Sequence, residues 1–167
     1  MRYLVLSDTH GNIRDAAFLT EHWHRQIDGV WHLGDHARDL AFLERQYAQS
    51  LSLAFSGVSG NCDFSGPFPS KRLFDLAGRR ILMCHGHLYH VQSGLSYLKQ
   101  QAHDVGADVV LFGHTHVPLL MEEDGVLYLN PGSITSPRGA SQRSFALLEL
   151  DNGRAAASLL DYSNFAM

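Results

Sequence analysis

Hydrophobic and polar positions switch between two periods along this chain. Residues 2–7, Arg2-Tyr3-Leu4-Val5-Leu6-Ser7, form an apolar-rich run of strand length that stops at Asp8-Thr9-His10-Gly11-Asn12. From 13 to 27 the spacing becomes helical: Ala16, Ala17, Leu19, Trp23 and Ile27 keep an approximate apolar face, and Arg14, Asp15, Glu21, His22 and Arg25 fill the other side. A short strand at 29–33 ends in Gly34-Asp35. A helix near 37–48 carries Leu40, Phe42, Leu43 and Tyr47 as its apolar residues, and a third strand, 51–58, ends in Ser59-Gly60-Asn61-Cys62-Asp63. This strand–helix–strand–helix–strand order predicts a parallel α/β sheet with right-handed crossovers.

The pattern then changes. Residues 64–70, with Gly66, Pro67 and Pro69, read as a loop. Residues 72–76 and 79–84 are apolar-biased strands joined at Ala77-Gly78, and the second runs into His85-Gly86-His87. A helix over 94–103 carries Leu95, Leu98 and Ala102, and a buried strand follows at 108–112. Hairpins are predicted at 119–122/126–129, around Glu123-Asp124-Gly125, and at 143–150/154–161, around Asp151-Asn152-Gly153. No internal repeat, low-complexity segment or linker breaks the chain, so one domain over residues 1–167 is expected.

Composition narrows the class. A length of 167 residues suits one good core. With 45% hydrophobic and 18% charged residues the chain is globular. A net charge of -4 without any basic block argues against a broad nucleic-acid footprint. The longest apolar runs are strand-length, so no membrane span is expected. The apolar start of the chain is too short for a secretory signal. Two cysteines, Cys62 and Cys84, fit a reduced cytoplasm better than a disulfide framework. The unusual number is histidine, 11 against 13 Lys plus Arg.

Where those histidines fall gives the chemistry. Val109-Val110-Leu111-Phe112 runs into Gly113-His114-Thr115-His116, with Gly113 read as the residue that lets the backbone turn. Two imidazoles then sit one residue apart beyond a rigid strand. Asp8 and His10, Asp35, Asn61, His85, and His114 with His116 all stand just past a predicted strand. Five strand ends thus deliver seven side chains to one edge, where α/β sheets bind ligands. Each residue has a structural alternative: Asp8 as a helix cap, Asp35 as a turn residue, Asn61 as a left-handed turn residue, His85 as a core-edge histidine. Five coincidences of the same kind favour the common site. Two carboxylates, four imidazoles and one amide oxygen are too many for one tetrahedral zinc and suit two metals of higher coordination, with Asp35 able to bridge. The expected cofactors are two divalent ions; the mixed oxygen and nitrogen ligands suit Mn, Fe, Zn, Ni or Co without choosing among them, and manganese is the first expectation. Two such ions clamp a phosphoryl group and generate a hydroxide between them.

Asp8-Thr9-His10, Gly34-Asp35, Gly60-Asn61-Cys62-Asp63, His85-Gly86-His87 and Gly113-His114-Thr115-His116 together resemble the calcineurin-like metallophosphoesterases. Their order and spacing, the short chain and Asn130-Pro131-Gly132-Ser133 resemble the small bacterial and archaeal phosphodiesterase branch. The resemblance implies a four-layer α/β/β/α sandwich with two mixed sheets between helices. It implies that Asp8, His10, Asp35 and His116 hold one metal and that Asp35, Asn61, His85 and His114 hold the other. A related scaffold protein of the retromer coat keeps the fold with a degraded metal site; here all seven positions carry competent ligands. One departure stands out: the position after the motif Asn, commonly His in the superfamily, is Cys62, a poorer proton donor. The expected activity is phosphodiester hydrolysis by a metal-bridging hydroxide on a small phosphoester substrate, with phosphomonoesterase or non-catalytic scaffold as alternatives. Cys62, His87 and Arg138 are the candidate catalytic residues; Asp63 is expected to order its loop. Hairpin edges leave a homo-oligomer open.

Overall fold

The computed structural model describes residues 1–165. The chain runs β1 (Arg2–Leu6), α1 (Ile13–Trp23), β2 (Gly29–His32), α2 (Ala37–Tyr47), β3 (Ala54–Gly57), β4 (Lys71–Leu76), β5 (Arg79–Cys84), α3 (Ser96–Val105), β6 (Val109–Leu111), β7 (Leu119–Glu123), β8 (Val126–Asn130), β9 (Ser144–Asp151) and β10 (Arg154–Asp161). Two five-stranded sheets result, ordered β10-β9-β1-β2-β3 and β4-β5-β6-β8-β7. Both are mixed. β1, β2 and β3 run parallel in the first, and β5, β6 and β8 in the second, with antiparallel partners outside them.

Side-chain alternation makes the layers, because successive residues of a strand face opposite ways. In β1, Leu4 and Leu6 pack with Ala16 and Leu19 of α1 and Leu40 and Leu43 of α2. Tyr3 and Val5 face the second sheet and meet Ile81, Met83, Val109 and Leu111. On the far side of that sheet, Leu82, Cys84 and Val110 pack with Leu98 and Ala102 of α3. The order is helices, sheet, sheet, helix: the expected four-layer sandwich.

Several boundaries move for identifiable reasons. The first helix stops at Trp23, not 27, because Gln26 N–H bonds the Trp23 carbonyl in a tight turn and Asp28 N–H is drawn onto Arg2 O at 2.7 Å. Ile27 is still buried in the α1 layer. The third strand spans 54–57 rather than 51–58: Leu51 N–H bonds back to Tyr47 O, and the parallel register with β2 begins at Gly29↔Ala54. The third helix starts at Ser96 and runs to Val105, after two short 3-10 turns at His87–Tyr89 and Val91–Ser93. The three hairpins turn on Ala77-Gly78, Asp124-Gly125 and Asn152-Gly153, each pair with both residues at positive φ, the conformation that matches the twist of hairpin strands. Cys62 and Cys84 are both free. Among the described residues, no helix is long and apolar enough to cross a membrane.

Candidate metal centre

Six of the seven predicted ligands come from the carboxyl ends of β1, β2, β5 and β6, and Asn61 follows β3, so both sheets contribute. Their donor atoms fall into two groups, each within 4.8 Å: Asp8, His10, Asp35 and His116, and then Asp35, His85 and His114. Asp35 is common to both. Asn61 stands exposed beside them with its amide nitrogen 3.5 Å from Cys62 Sγ, and the Cys62 backbone N–H donates to Asp35 Oδ1 at 2.9 Å.

Hydrogen bonds settle which imidazole nitrogen faces the centre. His85 Nδ1 lies 2.7 Å from the Leu33 carbonyl, and His116 Nδ1 lies 2.6 Å from the Ser136 carbonyl. A carbonyl only accepts, so each Nδ1 carries the proton and each Nε2 turns a lone pair inward. Those lone pairs meet carboxylate oxygens and further imidazole nitrogens. His116 Nε2 lies 3.2 Å from Asp8 Oδ1 and 3.3 Å from His10 Nε2; His85 Nε2 lies 3.3 Å from Asp35 Oδ1 and 3.2 Å from His114 Nδ1. Asp8 Oδ2 is satisfied by Ser7 Oγ–H and His114 N–H, but Asp8 Oδ1 is buried without a hydrogen-bond partner. A buried carboxylate oxygen facing imidazole lone pairs requires protons or cations between them. The donor set, hard oxygens mixed with borderline nitrogens, suits divalent transition metals. The residues therefore fit the group that the motifs imply.

The electrostatics agree. Burial would raise Asp35, but the His85 ring beside it holds the carboxyl well below its usual range. Burial would raise Asp8, but the His116 and His85 rings beside it pull it down. His85 is raised because Asp35 and Asp8 outweigh its burial, and His116 is raised first by the Asp8 carboxylate beside it. Burial lowers His10 and His114.

The backbone at this centre is unusual. Asp8, His10, Asp35, His114 and His116 all adopt positive φ, between 47° and 69°. Left-handed backbone is costly for residues with a Cβ, and such residues cluster at functional sites. Gly113, expected as the turning residue, does not have positive φ; His114 and His116 do the turning. Gly113 is instead a matter of space, since a Cβ there would lie 1.9 Å from Ser7 Oγ and 2.8 Å from Asp8 Oδ2. Gly60 has the same role, with a Cβ falling 2.2 Å from Asp35 Oδ1.

The alternatives for single residues resolve in turn. Asn12, not Asp8, caps α1, accepting from Asp15 N–H. Asp63 orders its loop as expected: its two oxygens accept from Ala37 N–H at the start of α2 and from Gly60 N–H. Asn61 does not have positive φ, whereas Asp35 does. The candidate catalytic residues ring the centre. The Cys62 thiol is exposed, yet local desolvation and the Asp35 carboxylate push it up to about 11. The His87 ring is 5.3 Å from His85 and 6.0 Å from His114, centroid to centroid, with Nδ1 buried and unpartnered. Arg138 is exposed in a loop tied to the centre by its N–H bond to His116 O at 3.2 Å.

Supporting residues escaped the sequence reading. Asn130 Nδ2 donates to Gly113 O and Thr115 Oγ1, clamping the His114–His116 loop. Ser133 Oγ–H donates to Asp8 O and accepts from Thr135 and Ser136 N–H. Fully buried His32 accepts from Gly34 N–H at Nδ1, so its Nε2–H points to Thr9 Oγ, which donates to Asp39 Oδ2. The signal for the first two was Asn130-Pro131-Gly132-Ser133, which matched a pattern without showing its contacts.

A sandwich of this topology with acidic and imidazole donors gathered at its strand ends defines a metal-site phosphoesterase fold. The chain belongs to the calcineurin-like phosphoesterase superfamily, whose domain model matches residues 1–153. It is 33% identical over 161 residues to a probable metallophosphoesterase, YsnB, of Bacillus subtilis, spanning 96% of this chain and 91% of that one. It is 31% identical over 103 residues to the phosphodiesterase YfcE of Escherichia coli, 56% of this chain and 52% of the relative. Among solved structures, a predicted phosphoesterase from Streptococcus pneumoniae superposes with a TM-score of 0.78 at 29% identity, covering 97% of this chain and 90% of that one.

Proposed function

We propose that this protein is a dinuclear metal-dependent phosphodiesterase acting on a small phosphoester. The observation that carries the reading is the unpartnered, buried Asp8 Oδ1 facing His116 Nε2 at 3.2 Å while Asp35 joins both donor groups. Asp8, His10, Asp35 and His116 would hold one ion, and Asp35, Asn61, His85 and His114 the other. Bound divalent ions supply Lewis acidity toward the phosphoryl oxygens and acidify water to a nucleophile near neutral pH.

The chain's own groups do the rest. The Leu33 and Ser136 carbonyls fix the His85 and His116 tautomers, keeping donor nitrogens turned inward without rearrangement. Arg138 offers a positive charge to a non-bridging phosphoryl oxygen. His87 orients substrate beside His85 and His114. Cys62 holds its proton at neutral pH and is a weak acid toward a leaving oxygen, which favours leaving groups needing little protonation. The name of the relative YfcE supports the same reading.

The test is a panel of bis(p-nitrophenyl) phosphate and p-nitrophenyl phosphate with Mn, Fe, Ni, Co or Zn in turn, on the wild type and His116→Ala. Metal-dependent turnover, faster on the diester and lost in the variant, is expected. Faster turnover of the monoester would make the protein a phosphomonoesterase. Little bound metal and no turnover would make it a scaffold of the same fold.

A further inference from the structure

A half-open cavity of about 230 Å³ lies between the start of α2 and the loop after β3, lined by His36, Arg38, Cys62, Asp63, Phe64 and Gly66. Both of its walls are tied to the metal centre. On one side the His36 ring stands edge-on to His10, a member of the first donor group, at 5.7 Å between centroids. On the other, the Cys62 backbone holds Asp35. A phosphoryl group at the centre therefore has this cavity as an immediate neighbour for one of its substituents.

The lining says what that substituent is. Phe64 is 84% exposed, the most exposed large apolar side chain among the described residues, and it faces no other aromatic ring. It sits on a loop whose base is pinned by Asp63 to Gly60 and Ala37. Arg38 is exposed across the same cavity and makes no ion pair among the described residues. His36 holds positive φ, 69°, which keeps it at the mouth between centre and cavity. A phenyl ring, a guanidinium and an imidazole are three flat groups, and each stacks on planar aromatic surfaces.

Resting on the phosphodiesterase reading, we infer that the cavity of His36, Arg38 and Phe64 is a subsite for a planar aromatic ester substituent, a nucleobase or an aryl ring, whose phosphoryl group sits at the metal centre. Base–aromatic stacking typically changes affinity by about tenfold or more.

Calorimetric binding to the manganese-loaded protein tests this with two matched pairs: adenosine 5′-monophosphate against ribose 5-phosphate, and phenyl phosphate against ethyl phosphate. Wild type is expected to bind the aromatic member of at least one pair about tenfold tighter; the pair that shows it separates nucleobase from simple aryl. Phe64→Ala should erase that preference and leave ribose 5-phosphate and ethyl phosphate unchanged, and Phe64→Trp should restore it. Phe64 is exposed, so neither variant threatens folding. Equal affinities within both pairs, or a Phe64→Ala loss common to all four compounds, overturns the subsite. Absence of any binding overturns it too. In each of those cases, continued hydrolysis of bis(p-nitrophenyl) phosphate shows that the subsite alone has failed, and its absence shows that the phosphodiesterase reading has failed with it.

Discussion

Ser133 Oγ–H donates to the main-chain carbonyl of Asp8 at 2.8 Å across 125 positions of sequence. The same oxygen accepts from Thr135 and Ser136 N–H, and the Ser136 carbonyl fixes His116. One hydroxyl thus joins the β1 end to the segment that orients the β6 end. Ser133→Ala leaves buried groups without partners. It is expected to cost about 1–3 kcal/mol in urea unfolding and to weaken metal affinity by about 10-fold to 100-fold in a metal titration.

Asp8 gives a sharper contrast. Its Oδ1 is buried and unpartnered, a poor arrangement for a carboxylate and a good one for a cation ligand. Wild type should gain stability on metal addition, by about 2.7 kcal/mol at a hundredfold excess of ion over its dissociation constant. Asp8→Asn should lose that gain, because a carboxamide is a poorer ligand for a divalent cation than a carboxylate. Thermal melts with chelator and with manganese check both halves.

Acid lability should trace to His32. Complete burial lowers this ring from 6.5 to about 4. Below pH 6.5 the unfolded chain binds a proton there that the folded chain does not, so stability falls as pH drops from about 6.5 to about 4. The shift corresponds to roughly 3 kcal/mol. His32→Asn keeps an acceptor near Gly34 N–H without the titration. Its Tm should fall less steeply with acid over that window than that of the wild type, as read by calorimetry at pH 7, 6, 5 and 4.

Cys62 gives a test of the leaving-group range. A thiol pushed up to about 11 donates its proton poorly at neutral pH. Cys62→His should raise turnover of diesters with alkyl leaving groups relative to aryl ones by about tenfold or more. An unchanged ratio would reduce Cys62 to a packing residue.

Much of this was readable along the chain. The period-2 and period-3.6 runs marked every strand and helix, because each layer of the sandwich buries its own face. Six predicted ligands converge because each follows a strand whose end the sheet order brings to one place. What the sequence hid was contact at a distance. Gly113 looked like a turning residue, but its reason lies in Ser7 Oγ, over a hundred positions away. The short β3 depended on where Gly29 meets Ala54. Asn130, Ser133 and His32 act through partners that no local pattern encodes.

The left-handed backbone at Asp8, His10, Asp35, His114 and His116 carries a consequence for how this chain tolerates variation. Valine, isoleucine and threonine are the residues least able to occupy such a conformation. A library randomised at these five codons and screened only for a soluble, folded product would drift toward glycine, asparagine and aspartate, not toward the aliphatic residues that fill the strands just before them. Relaxed demand for chemistry would then leave a recognisable scar: a polar, glycine-flecked rim on an intact sandwich.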